Sequence, residues 1–578
     1  MPDSPEKQPK AVVIGAGFGG IAAALRLRAR GYHVTLIDKQ DKLGGRAYQY
    51  ERKTELGTFI HDAGPTVITA KFLFDELFEL FGKKREDYVE FRDIYPWYRI
   101  VFAGEVTKPR LTATPASRSD ATGEKSTNAG VPAKQEALPF FDYGGTLEQF
   151  EAQIAKFEPR DVEGFRKYLK HSKKIFDVGF TELGDQPFHS FLTMLKCAPS
   201  LLRLQNYKTV YGMAKKYIRN EQLRRVFSFQ PLLVGGNPFN TTSIYSLIFY
   251  LEREWGVQFA MGGTGAIVRG LEKLMREEGI EIRLGEEVET LGTTPNANIN
   301  APYDAVTRVS LRGGDSIDLT SDPHAVVVCN ADAPFVYKHL LDPQLRHGVA
   351  ARRIDSKVAP QQYSMGLFVM YFGTKTSYPD VAHHTIVLGQ QYKELIDDLF
   401  DRFGLETNDT SVYLHRPTAT DPSMAPPGCD SFYVLVPVPN NQPMKSNRRR
   451  KGATAVEPTL RPDGSIDWDV MGPIMRDATV RYLERTTLPR LSETIIDDFY
   501  VTPDHFEKNL NTLHGSGFSI QPIFSQSAWF RFHNKAPGVE GLYFVGAGTH
   551  PGAGMPGVLC SAKVLEHALP PAPNRALK

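Results

Sequence analysis

KAVVIGAGFGGIAAALRLRARGYHVTLID, residues 10–38, is the stretch from which the fold is read. Residues 11–14 form a short β-branched run, 18–30 carry apolar residues at helical spacing, Gly31 stops that helix, and 34–38 read as the next strand. At the strand-to-helix junction Gly15, Gly17 and Gly20 make a GxGxxG turn, and Asp38 closes the second strand. Gly15 permits the tight turn, Gly17 lets a pyrophosphate approach the backbone, and Gly20 allows the helix to pack closely on the strand. The helix start then offers unpaired N–H groups to phosphates, and Asp38 would accept hydrogen bonds from a ribose. The stretch predicts a βαβ dinucleotide site whose contacts include Phe18, Gly19 and Lys39.

Similar pieces recur far along the chain. Residues 267–291 run from an apolar helix face (Leu271, Leu274, Met275) into the alternating EIRLGEEVETL; 325–328 read as a buried strand, and 542–545 as another before a glycine loop. A nucleotide-binding unit is therefore expected from residues 1–107, 256–345 and 521–578, with Val288 at its edge. The aromatic-rich stretches 138–255 and 346–520 are assigned to a second, discontinuous domain. Residues 108–137 and 440–464, the latter with the basic run 447–451, read as flexible insertions.

Composition narrows the function. A chain of 578 residues exceeds one compact core. A formal net charge of +2 gives no field that would favour nucleic acid. Cys197, Cys329, Cys429 and Cys560 are far apart and form no CxxC pair, which argues against a zinc ribbon, a cluster or a disulfide framework. His383-His384 lacks a companion carboxylate cluster, and neighbours on a strand face opposite ways, so no metal site is expected. No signal peptide and no uninterrupted apolar run of about 18 residues is read, so any membrane contact is expected to be peripheral, on the cytoplasmic side. Residues 188–217 mix Leu, Phe, Met and Tyr with Lys196, Arg203, Lys208, Lys215 and Lys216, the pattern of a helix pair at a membrane interface.

Two further motifs carry chemistry. Gly44-Gly45-Arg46 follows Asp38 and resembles the segment of amine-oxidase-type flavoproteins that wraps the cofactor as a second loop, which implies a fixed positive charge from Arg46 near it. The run 543–558, YFVGAGTHPGAGMPGV, is again strand, glycine loop and helix start. Gly546, Ala547, Gly548, Gly554, Met555, Pro556, Gly557 and Val558 would set backbone N–H groups and a helix dipole against a reducible ring, and His550 is the candidate base within the loop.

Together with HDAGPTVIT (61–69, including Gly64, Pro65 and Thr66), FSFQPLLVGGNPF (227–239), SLIFYLEREWGV (246–257), GGTGAIVRGL (262–271), AHHTIVLG (382–389) and QSAWFRFHN (526–534), these motifs give the chain a resemblance to bacterial and fungal phytoene desaturases. The resemblance implies an amine-oxidase-like α/β flavoprotein, with a Rossmann-like FAD-binding domain and a discontinuous α+β domain for substrate and membrane contact. It implies FAD as cofactor and a lipid-dissolved carotene as substrate, 15-cis-phytoene taken stepwise to lycopene or a less desaturated carotene. With no second GxGxxG, oxygen or a quinone is expected to reoxidise the flavin. A tunnel walled by 227–239 and 245–255 is expected to hold the hydrocarbon. The chain departs from bacterial members at Thr193 and Lys196, where they carry an acid and an arginine. Other flavoenzymes on the same scaffold (a diapophytoene desaturase, a carotenoid isomerase or ketolase, an amine oxidase) and a non-catalytic lipid escort are the rival readings; oligomeric state is open.

Overall fold

The computed structural model describes residues 8–104, 138–294, 304–341, 358, 361–402, 404–443 and 457–569. The insertion expected at 108–137 and the basic run 447–451 lie outside these residues.

The 10–38 stretch folds as read: strand Lys10–Ile14, helix Phe18–Ala29, strand His33–Asp38. These strands sit at the centre of a five-stranded parallel sheet, in the order Leu542–Phe544, Val326–Cys329, Lys10–Ile14, His33–Asp38, Glu281–Leu284. Continuous runs such as AVVI and VVVC suit strands covered on both faces, as a parallel sheet requires. Helices Phe18–Ala29, Thr264–Glu277 and Met555–Ala568 pack together on one face, so the start, middle and end of the chain share one core. On the other face lies an antiparallel group formed by Val288–Thr294, Asp304–Leu311 and Ser316–Asp318.

A seven-stranded sheet makes the second layer system, in the order Ile495–Val501, Gly366–Thr374, Asp430–Val438, Val412–His415, His384–Leu388, Tyr98–Phe102, Phe140–Tyr143. Its neighbours are antiparallel except for the parallel pair of His384–Leu388 with Tyr98–Phe102. Alternation along Gly366–Thr374 separates two cores: Phe368, Met370 and Phe372 meet Trp468 and Met471 on one side, while Leu367, Val369 and Tyr371 face the aromatic cluster of Phe227, Phe229 and Phe249 on the other. Strand Tyr98–Phe102 corrects the expected boundary at residue 107, because it pairs within this second sheet rather than with the nucleotide-binding strands. Its alternating YRIVF could have joined either sheet; pairing with residues 385–388 is a long-range choice that periodicity does not encode.

Candidate functional site

A cavity of about 740 Å³ begins at the glycine turns of the parallel sheet and continues between the seven-stranded sheet and the helices beneath it. Of the residues expected at the cofactor, Gly15, Gly17, Phe18, Gly19, Asp38, Lys39, Gly44, Gly45, Arg46, Gly64, Pro65, Thr66, Val288, Gly546, Ala547, Gly554, Met555, Pro556, Gly557 and Val558 all line it, as does His550. Gly20 and Gly548 do not. A Cβ on Gly20 would fall 1.9 Å from Gly15 O, so this glycine serves helix-on-strand packing, while Gly548 sits tightly against Asp332 and Ser519.

The end nearest the parallel sheet is built to hold an anionic, extended group. Helices Phe18–Ala29 and Met555–Ala568 start there, and neither has a side-chain cap, so their first N–H groups remain available. Gly15 and Gly64 hold φ of +96° and +119°, values a side-chain-bearing residue rarely adopts, and Gly64 opens onto empty space. The Asp38 carboxylate accepts from Ala16 N at 2.6 Å and Gln40 N at 2.8 Å, which fixes it at the strand end; burial pushes its pKa up against those bonds. Arg46 Nε is buried without a partner, and burial lowers that guanidinium's pKa although Asp332 opposes the shift. A half-buried arginine with an unpartnered Nε, beside two uncapped helix starts, fits a diphosphate-bearing flavin.

Two of the sequence-predicted side chains are committed elsewhere. Lys39 Nζ donates to Lys508 O at 2.8 Å and Asn511 Oδ1 at 2.6 Å, pinning the 508–511 loop over the site. Thr66 Oγ1 is engaged by the Tyr413 and Tyr433 hydroxyls at 2.9 and 2.8 Å. Sequence reading missed Asn330 and Arg531. The Asn330 side chain fills the space where Cβ atoms on Gly17, Gly19 and Gly546 would stand, so it joins the first and last glycine loops. Arg531 is 1% exposed and donates to Thr549 O (3.0 Å), Gln526 O (3.2 Å) and Ala547 O (2.5 Å), holding the C-terminal loop in shape. The motif FRFHN contains Arg531, but nothing local distinguishes it from a surface arginine.

Beyond the glycine turns the walls become apolar, with Leu232, Leu247, Leu251, Met365, Leu367 and Leu388 among them. The expected wall stretches contribute in part: Phe229 and Tyr245 face the cavity, whereas Phe227 and Phe249 are fully buried in the aromatic core. Glu252 is an unforeseen polar group on this wall, bonded by the Tyr98 and Tyr143 hydroxyls at 2.9 and 2.7 Å, and burial raises its pKa to about 7. The His550 ring packs on Phe188 at 4.8 Å beside the Leu183 backbone, and burial lowers its pKa to about 3 against that backbone contact.

The histidine doublet departs from expectation. His383 precedes the strand that begins at His384, so the two do not alternate, and His415 on the neighbouring strand pairs directly with His384. One ring nitrogen of each of the three buried residues lies within 4.8 Å of the others. Helix Phe191–Arg203 places Met194 and Leu201 on the cavity while Phe191, Leu192, Leu195 and Leu202 are 48, 66, 52 and 64% exposed. Thr193 is half-buried and Lys196 exposed on the same helix. The four cysteines are all unpaired, and among the described residues no helix is long and apolar enough to cross a membrane.

Comparison with known proteins agrees with this geometry. The profile described as flavin containing amine oxidoreductase matches residues 18–409, and the chain belongs to that family. Cyclohexylamine oxidase from Brevibacterium oxydans shares the fold at a TM-score of 0.52 and 13% identity, over 97% of this chain and 98% of that one. Within the family, the chain is 42% identical to phytoene desaturase (lycopene-forming) of Pantoea ananas, over 95% of this chain and 97% of the relative. It is 36% identical to phytoene desaturase (neurosporene-forming) of Rhodobacter capsulatus, over 99% and 96%. The protein is a flavin-dependent oxidoreductase, and its cofactor is FAD.

Proposed function

We propose that this protein is an FAD-dependent phytoene desaturase that dehydrogenates 15-cis-phytoene stepwise to lycopene or a less desaturated carotene. The observation that carries this reading is the continuity of one cavity, from the uncapped helix starts at the glycine turns into a long apolar passage. A hydrocarbon offers no hydrogen-bonding handle, so shape and apolar walls must orient it. The residues proposed to hold FAD are those on the cavity wall named above, with Asp38 toward the ribose and Arg46 toward the phosphates or ring. Bound there, FAD supplies a hydride acceptor. The chain's own part is to position a CH2–CH2 unit against it, exclude water, and take a proton from the neighbouring carbon. Oxygen or a quinone is the proposed electron acceptor.

The reading is tested by incubating purified protein, FAD and phytoene-loaded liposomes under air and with added quinone, then chromatographing the extract. A conjugated polyene that depends on FAD is expected. A flavin-loaded protein that leaves phytoene unchanged in both conditions would shift the reading to a sister carotenoid flavoenzyme.

Access to such a substrate calls for a membrane surface, and we assign it to helix Phe191–Arg203. None of its residues is buried, its exposed apolar side chains are spaced along one side, and Lys196, Arg203, Lys215 and Lys216 are exposed around it. Apolar side chains would enter the acyl region while the cations meet anionic headgroups, with the cavity opening behind Met194 and Leu201. Replacing Leu192 and Leu202 together by Glu is expected to cut co-sedimentation with anionic vesicles roughly tenfold. Flavin content should stay unchanged; equal sedimentation of the variant would remove this helix from the membrane contact.

A further inference from the structure

We propose that Tyr413, His384, His415 and His383 form a proton exit leading from the substrate cavity to Thr420 at the protein surface. The proposal rests on the desaturase reading. Each desaturation takes two hydrogens from adjacent carbons: one leaves as hydride with its electron pair, to the flavin, and the other leaves as a proton while its bonding electrons become the new double bond. That proton is released inside an apolar passage and has to reach water.

A hydrogen-bonded route begins on the cavity wall. Tyr413 lines the cavity, and its hydroxyl lies 2.7 Å from His384 Nδ1 and 2.9 Å from Thr66 Oγ1. At the far end His415 Nε2 is 3.1 Å from His383 Nε2, and His383 Nδ1 is 2.7 Å from Thr420 Oγ1. Thr420 is half-buried, beside the exposed Ala419. Every ring in this path uses one nitrogen to receive and the other to pass on. The two nitrogens the path still has to join, His384 Nε2 and His415 Nδ1, are the buried ring nitrogens of this trio left without a partner. The His384 and His415 rings are stacked with centroids 5.3 Å apart, and one water hydrogen-bonded to both of these nitrogens would complete the path.

The rings are kept in the state a relay needs. Burial, reinforced by the neighbouring imidazoles and, for His383, by Arg416, drives all three pKa values down, to about 3 for His383. A neutral imidazole has one donor and one acceptor nitrogen, so a proton entering at Nδ1 of His384 or His415 expels another at Nε2, and in His383 the order is reversed. A phenol is a weak base, but the carbon that has lost hydride makes its neighbouring C–H a very strong acid, and transfer along the chain leaves no charge on Tyr413. A divalent metal on the same rings is opposed by the Arg416 guanidinium beside them. His550 also lines the cavity, but the neighbour its ring does have, the Leu183 backbone, carries no proton that it could pass on. The proton-accepting role expected of His550 from sequence is thus better filled at Tyr413.

The test compares wild type, Tyr413→Phe, Thr420→Val and Thr420→Ser as flavin-loaded proteins with phytoene liposomes in H2O, D2O and mixtures. Wild-type product formation in a single turnover should slow about twofold in D2O with a curved dependence on deuterium fraction, as expected when several protons move together. Tyr413→Phe should form product roughly tenfold more slowly with that curvature lost. Thr420→Val should fall about threefold, and Thr420→Ser should restore the rate by returning the hydroxyl. Independently of turnover, nitrogen NMR of histidine-labelled protein should show His384 protonated at Nε2 with Nδ1 accepting, a pattern lost in Tyr413→Phe. The relay is overturned by equal rates and isotope dependence in all four proteins, by a linear or absent isotope effect in wild type, or by stoichiometric metal in the purified protein. Failure of wild type to convert phytoene at all would instead strike the desaturase reading.

Discussion

Replacing Gly17 by Val should yield a folded, colourless protein that binds FAD at least roughly 100-fold more weakly and forms no polyene. The backbone tolerates the change: Gly17 sits at φ −73° and ψ 173°, open to any residue, and its added Cβ would meet Asn330 Nδ2 at 2.9 Å, a side-chain contact rather than a backbone one. What valine removes is the approach of a diphosphate to the N–H groups at the start of helix Phe18–Ala29. Gly20 provides the contrast, because its Cβ would strike the Gly15 carbonyl at 1.9 Å and damage the fold itself. Flavin absorption of the purified variant, with circular dichroism as the folding control, decides the matter; a yellow Gly17→Val protein would mean that the cofactor does not lie along this turn.

The second large effect is on stability. Arg531→Leu should lose about 3–5 kcal/mol, because truncating it strips the carbonyls of Thr549, Gln526 and Ala547 of a buried charged donor and removes one of the two cations near Asp332. A melting-temperature fall of roughly 2–4 °C follows for such a loss in a chain of this length. Flavin should also dissociate faster, since Ala547 belongs to the loop that Arg531 holds. Melting followed separately by flavin fluorescence and by circular dichroism tests both; an unchanged flavin release with that thermal loss would separate Arg531 from the site and leave it a role in the core alone.

Local chemistry explains why the cofactor end was legible in the sequence. Gly15, Gly64 and Gly546 hold backbone angles that few residues other than glycine adopt, and the strand-turn-helix rhythm around 10–38 follows from side-chain periodicity within a few residues. Aromatic content suggested an apolar passage but could not separate wall from core, because Phe227 and Phe229 differ only in which side of the packed layer they reach. The histidines show the same limit. His383 and His384 were judged as neighbours on one strand, whereas the strand starts at the second of them and the partner that completes the group, His415, comes from another strand 31 positions on from His384.

The sequence by itself determined the βαβ unit, the glycine loops proposed to hold FAD, and the kinship with carotene desaturases, because each is written in residue types whose constraints act over a few bonds or turns. Tertiary structure alone decided that strand Tyr98–Phe102 belongs to the second sheet, that Arg531 and Asn330 hold the glycine loops together, and that three histidines stand between a cavity tyrosine and the surface. Those are choices of partner among distant segments, set by burying apolar faces and pairing polar groups across the whole chain, and no local pattern records which of several compatible partners is taken.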